Sequence, residues 1–168
     1  MLRIAGIEYE SETHGPGLSN VLFCQGCLHH CELCQNPQTW DLNGGMMFSE
    51  DDIARFIKRN KHTRRIVFSG GEPFLQAAGL VELTKKLDGY SFSAYTGYTF
   101  EELWETRDSN HMALLSVLDV LVDGPFVYAE ISPELPYQGS SNQRILNVPE
   151  SIKAGKAVLE TGDRWRRR

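Results

Sequence analysis

Short apolar runs that end in glycine-containing loops recur along this chain, and most of them lead into a stretch with helical periodicity. Residues 21–24 run into Gln25-Gly26-Cys27. Residues 65–68 run into Ser69-Gly70-Gly71-Glu72-Pro73. Residues 92–96 run into Gly97-Tyr98, and residues 117–122 into Asp123-Gly124-Pro125. Buried-type strands that alternate with amphipathic helices predict a parallel sheet with helical crossovers. Ligands of such sheets bind outside the carboxyl ends of the strands. All four loops should therefore meet at one edge of the fold.

The intervening segments carry their own signals. Residues 2–9 read as a first strand, and Gly15-Pro16-Gly17 as a tight loop. Ser49 precedes Glu50, Asp51 and Asp52, which is the pattern of a capped helix start, and Ile53, Phe56 and Ile57 then share a face. A helix is predicted over about 75–87, with Leu80, Val81, Leu83, Thr84 and Leu87 inward. Thr99 and Glu102 form a capping box ahead of Leu103 and Trp104, and a further short helix covers 112–116. With 168 residues the chain is too short for eight strand–helix units. The expected fold is α/β, an open partial (βα) barrel in one domain over 1–168, with a basic, mobile tail from about 163.

All four cysteines fall in one loop: Cys24, Cys27, Cys31 and Cys34. The last three read C-x3-C-x2-C. Three thiolates this close can hold three corners of a cubic iron–sulfur cluster and leave the fourth iron open to a ligand. Taken together the four read C-x2-C-x3-C-x2-C, which leaves zinc as a rival. Zinc modules built from two C-x2-C pairs usually separate the pairs by many more residues. A closed four-cysteine cluster is the other rival, although ferredoxin spacings differ. Cys24 ends an apolar run and reads better as a small buried hydrophobe than as a ligand. His29 and His30 stand between two ligands, where they would shape the loop or donate N–H groups to cluster sulfurs. His14, His62 and His111 are scattered and receive no role.

Composition narrows the classes. The formal charge of −5 argues against nucleic acid as the main partner. The apolar runs are too short to span a membrane, and the N-terminus has no signal-peptide core. A cytoplasmic protein is expected, where clustered cysteines point to metal before disulfide. The exception to the acidic balance is Arg164-Trp165-Arg166-Arg167-Arg168, read as a solvated end.

The cysteine motif followed by Gly70-Gly71-Glu72 at a strand end resembles the radical S-adenosylmethionine (SAM) superfamily. Further segments are similar to the activating proteins of anaerobic (class III) ribonucleoside-triphosphate reductase. They are Gly15-Pro16-Gly17, Gln25-Gly26-Cys27, Cys34-Gln35-Asn36-Pro37 with Thr39-Trp40, residues 94–98, residues 121–126 and residues 139–144. Relatives commonly carry arginine at the position of Ser19. The resemblance implies a radical SAM-type partial barrel, with a [4Fe-4S] cluster on Cys27, Cys31 and Cys34 and SAM on its open iron. It implies reductive cleavage of SAM to a 5′-deoxyadenosyl radical, and a glycyl radical made on the reductase. An electron donor such as flavodoxin or ferredoxin would supply the reducing electron. Gly70 and Gly71 would let backbone approach the methionine moiety, with Glu72 adding negative charge. Leu33 and Gln35 would border SAM through their backbone. Thr96 and Asp123 would contact SAM or a cation, or else serve turn and cap chemistry. The segment 139–144 would dock the partner or end a strand.

Overall fold

The computed structural model describes residues 1–166, so Arg167 and Arg168 of the basic tail lie outside the described residues. One seven-stranded sheet organises the chain, in the order β3-β1-β2-β4-β5-β6-β7. Its strands are β1 (Leu2–Ser11), β2 (Ser19–Cys24), β3 (Met46–Phe48), β4 (Arg65–Gly70), β5 (Ser91–Tyr95), β6 (Val120–Asp123) and β7 (Arg144–Asn147). The centre, β2-β4-β5-β6, is parallel, as the alternating pattern requires. Both margins are antiparallel: β1 pairs with β2 and β3, and β7 with β6. The sheet is open, with β3 and β7 as its two edges.

The helices are α1 (Glu50–Arg59), α2 (Ala77–Thr84), α3 (Phe100–Glu105), α4 (Ser109–Val117), α5 (Val148–Ala154) and α6 (Asp163–Arg166). Their apolar faces and one face of the sheet form a single core. Ile53, Ile57, Leu80, Leu83, Phe100, Leu103, Leu114 and Leu115 pack against Leu22, Ile66, Phe68, Phe92, Ala94 and Leu121. By the period-two alternation of strands, Val21, Phe23, Val67, Ser69, Ser93, Tyr95 and Val122 point to the other face, termed concave because a cavity lies on it.

The caps read from sequence are made. Ser49 accepts from the Asp52 N–H, and Thr99 and Glu102 form a complete capping box on α3. Several boundaries differ: β1, β2 and α4 run longer than expected, and two elements divide differently. The helix expected over 75–87 opens as a 3₁₀ turn, Pro73–Gln76, and its tail after Thr84 closes through i→i+3 bonds from Lys86 and Leu87. Pro73 starts that tight turn while the Glu72 side chain caps it. The strand expected over 117–122 begins only at Val120, because Val117 closes α4 and Leu118 caps it. An apolar run serves a buried helix end and a buried strand equally well, so periodicity could not divide it. Strands β3 and β7 were not expected; each is short and lies at an edge, where pairing rather than pattern defines it.

Candidate functional site

The carboxyl ends of β2, β4, β5 and β6 converge on one cavity of ≈ 290 Å³. Cys27, Cys31 and Cys34 line one side. Gly70, Gly71, Thr96, Gly97 and Gly124, all at strand ends, line another, and His14, Tyr95, Phe126 and Tyr137 close the concave side. Among the described residues lining it, none is Lys, Arg, Asp or Glu.

The root of the cysteine loop is fixed by backbone. Gly26 N–H donates to the Thr39 carbonyl at 2.8 Å and Cys27 N–H to that of Trp40 at 3.2 Å. From the β4 side, Gly71 N–H donates to the Cys24 carbonyl and Glu72 N–H to that of Gly26, each at 2.8 Å. These contacts explain the paired glycines. Gly70 has φ +94°, and a Cβ there would stand 2.7 Å from the Cys24 carbonyl oxygen; at Gly71 a Cβ would stand 2.3 Å from that of Gly26. The sequence suggested that these glycines clear room for a ligand. The structure adds that they let β4 lie against the loop that carries the thiols.

The thiols divide three to one. Cys24 is fully buried within β2 and belongs to the helix-side core; burial pushes its thiol pKa up, with Glu72 adding to the rise. Cys27 is raised by desolvation and held back by the backbone N–H groups of His29 and His30. Asn36 N–H donates to Cys34 Sγ at 3.3 Å. Amides aimed at sulfur favour thiolate and metal-bound sulfur alike. Among the described residues no three His, Cys, Asp or Glu side chains close around the position of a lone ion. The three thiols share one cavity with the Gly70-Gly71 strand end.

Glu72 and Asp123, both expected near a ligand, are turned to protein partners and do not line the cavity. The Glu72 carboxylate is 1% exposed. It accepts from Phe74 N–H at 2.9 Å, Thr96 Oγ1 at 3.0 Å, Gly97 N–H at 2.9 Å and His29 Nε2 at 2.8 Å. It ties the ends of β4 and β5 to the cysteine loop. That bond to Glu72 raises the His29 pKa. Asp123 accepts from Phe100 N–H at 2.7 Å, at the start of α3, and from Arg144 at 3.0 and 2.5 Å; Arg144 also reaches Glu101. Both carboxylates raise the Arg144 pKa, that of Asp123 first. Thr96 and Gln35 do line the cavity. Leu33, at φ +53°, is an exposed turn residue beside the last thiol.

Residues 139–143 are held in place by hydrogen bonds of buried side chains. Ser140 is fully buried and its Oγ accepts from Val127 N–H. Gln143 donates to the Gly124 carbonyl at 2.9 Å and accepts from Gly139 N–H at 2.8 Å. The segment is thereby welded to the end of β6 and forms a wall of the cavity. Ser19 is buried at the start of β2. Arg65 of the adjacent strand donates to the Pro16 carbonyl and so holds the Gly15-Pro16-Gly17 loop.

Several cavity residues were not singled out from the sequence. His14 bonds Ser11 Oγ through Nδ1 at 3.0 Å and meets the rings of Phe23 and Tyr95 edge-on. Burial lowers its pKa, opposed by Glu8. Its place immediately before the Gly15-Pro16-Gly17 turn was the one available hint. Tyr95 could have been assigned to the concave face by alternation with Phe92 and Ala94. Tyr137 comes from a loop forty residues away, and its carbonyl accepts from the Tyr95 hydroxyl at 2.6 Å. Trp165 of the basic tail packs edge-on against Tyr137, with ring centroids 5.5 Å apart.

Comparison with known proteins places this arrangement. A family model described as a 4Fe-4S single cluster domain matches residues 13–146. The anaerobic ribonucleoside-triphosphate reductase-activating protein of Vibrio cholerae serotype O1 is 36% identical over 142 residues, 79% of this chain and 89% of that protein. The protein of the same name from Escherichia coli K12 is 34% identical over 140 residues, 77% and 88% of the two chains. That of Enterobacteria phage T4 is 29% identical over 147 residues, 83% and 90%. The crystal structure of QueE from Escherichia coli covers 58% of this chain and 53% of its own at a TM-score of 0.48 and 22% identity, too partial a likeness to bear on function. With a matched cluster domain spanning the thiols and relatives that align over most of both chains, this chain belongs to the family of anaerobic ribonucleoside-triphosphate reductase-activating proteins.

Proposed function

We propose that this chain binds a [4Fe-4S] cluster on Cys27, Cys31 and Cys34 and SAM on the iron left open, and uses them to place a glycyl radical on anaerobic ribonucleoside-triphosphate reductase. The observation that carries the reading is the shared cavity: three thiols face the Gly70-Gly71 strand end across a space that, among the described residues, no Lys, Arg, Asp or Glu lines. When bound, the reduced cluster supplies the electron that splits SAM into methionine and a 5′-deoxyadenosyl radical, which takes a hydrogen atom from a glycine Cα of the reductase and leaves as 5′-deoxyadenosine.

The protein's part is binding, orientation and exclusion of water. Gln35 and the backbone of Leu33 border SAM beside the last ligand. Gly70 and Gly71 present backbone to its methionine end, and Thr96 closes the same wall. Glu72 and Asp123 act one layer out, by holding the strand ends in place. Tyr95, Tyr137, Phe126 and His14 form the wall opposite the thiols, against which the substrate glycine would lie. A neutral lining suits a peptide segment better than a nucleotide triphosphate, whose phosphates would find no cation there. A cytoplasmic setting and a flavodoxin or ferredoxin as electron donor complete the proposal. Among the described residues no helix is long and apolar enough to cross a membrane.

The test is anaerobic reconstitution with iron and sulfide, then addition of dithionite, SAM and the reductase. The expected results are a brown protein, 5′-deoxyadenosine, and a glycyl-radical EPR signal on the reductase, all lost in Cys27→Ala, Cys31→Ala and Cys34→Ala. A colourless protein with tightly held zinc would overturn the reading. SAM cleavage with no radical on the reductase would redirect it to a different glycyl-radical enzyme.

A further inference from the structure

The side chain of His29 stands in a slot built by three separate parts of the fold. Its Nε2 meets the Glu72 carboxylate, at the end of β4, at 2.8 Å. The face of its ring lies on Gly97, beyond the end of β5, where an added Cβ would stand 2.5 Å from His29 Cδ2. Tyr98 packs edge-on at a centroid distance of 4.5 Å. The carboxylate itself is locked by Phe74 N–H, Thr96 Oγ1 and Gly97 N–H, so it cannot follow the loop if the loop moves. His29 lies between Cys27 and Cys31, in a loop whose other backbone anchors lie at its root and after Cys34.

We infer that the His29–Glu72 bond, seated on Gly97, is the clamp that positions the cysteine loop for its cluster. His29 is a positioning residue: it acts through the thiols on either side of it. The bond joins an imidazole to a buried carboxylate, the class of hydrogen bond that holds geometry best. A ligand loop fixed before the metal arrives avoids the ordering cost at the moment of binding, and partners of this kind typically tune metal affinity severalfold to a hundredfold. The slot also fixes a sequence requirement: any side chain at residue 97 would occupy the place of the ring. This inference rests on the reading of Cys27, Cys31 and Cys34 as the ligands.

The test uses amide hydrogen exchange in the cluster-free protein and cluster loss to a chelator in the reconstituted one. In His29→Ala, amides of residues 28–36 should exchange about tenfold faster than in wild type, while those of α1 stay unchanged. The reconstituted variant should lose iron to EDTA about tenfold to a hundredfold faster. His29→Gln, whose amide nitrogen can still reach Glu72, should recover most of both effects. Gly97→Ala should reproduce the His29→Ala result with the loop's own sequence unchanged, because its Cβ would displace the ring. Wild-type exchange in His29→Ala and Gly97→Ala would overturn the inference, as would a His29→Gln variant no better than His29→Ala. If wild-type protein takes up no cluster, the proposed function fails, and the exchange comparison still decides whether the clamp exists.

Discussion

Gly71→Ala should damage this protein before any ligand binds. The added Cβ would stand 2.3 Å from the Gly26 carbonyl oxygen, 2.9 Å from its carbon and 3.1 Å from the Thr39 carbonyl oxygen. All three are backbone atoms, so no rotamer change can relieve the contact. Forcing a methyl into a packed site costs about 1–3 kcal/mol. Moving Gly26 away would also weaken the bonds it makes with Glu72 N–H and the Thr39 carbonyl, at about 1 kcal/mol each. A loss of about 3 kcal/mol is the result, or roughly 6–12 °C in Tm for a chain of this size. Thermal unfolding of the cluster-free protein, followed by circular dichroism, measures it. The variant should also show faster alkylation of Cys27, because its loop root is no longer anchored. A Tm within about 1 °C of wild type would refute the argument, since it would mean that the β4 end and the loop root are not in contact.

Other perturbations separate the roles of neighbouring residues. Cys24→Ala should keep its cluster and lose about 1 kcal/mol of stability, the cost of a small core truncation; loss of iron equal to that in Cys27→Ala would make Cys24 a ligand after all. Arg144→Ala leaves Asp123 buried with Phe100 N–H as its one remaining donor among the described residues and should cost about 2 kcal/mol in a urea titration; an unchanged midpoint would show that water replaces the guanidinium. His14 has its pKa lowered by burial, so the unfolded chain takes up its proton first. Its contribution is present above about pH 6.5, the unfolded value, and is lost as pH falls below it. Stability measured between pH 7.5 and 5.5 should therefore fall less in His14→Gln than in wild type. His29, whose pKa is raised, works in the opposite sense, and an equal fall in both proteins would deny His14 its part.

The sequence by itself determined the frame and the chemistry. Apolar runs ending in Gly70-Gly71, Gly97 and Gly124 meant parallel strands with loops at one edge, because a strand buried on both faces reads as a continuous apolar run. The C-x3-C-x2-C spacing of Cys27, Cys31 and Cys34 pointed to metal, because clustered thiols that are not disulfide-bonded most often serve as metal ligands or redox groups, and the matched 4Fe-4S single cluster domain spans them. Caps such as Ser49 and Thr99 were legible because their partners lie three residues away. What the tertiary structure alone decided was the direction in which side chains point and which distant residues meet. Glu72, at the strand end, is a buried hub for His29, Thr96 and Gly97. Asp123 proved to cap α3 and pair with Arg144. Tyr137 and His14 reach the same cavity from opposite ends of the chain, and β3 and β7 exist only as partners of other strands. Local signals are written in short-range spacing, where backbone geometry fixes the outcome. The walls of the site come from contacts across the sheet, and no pattern along the chain records those.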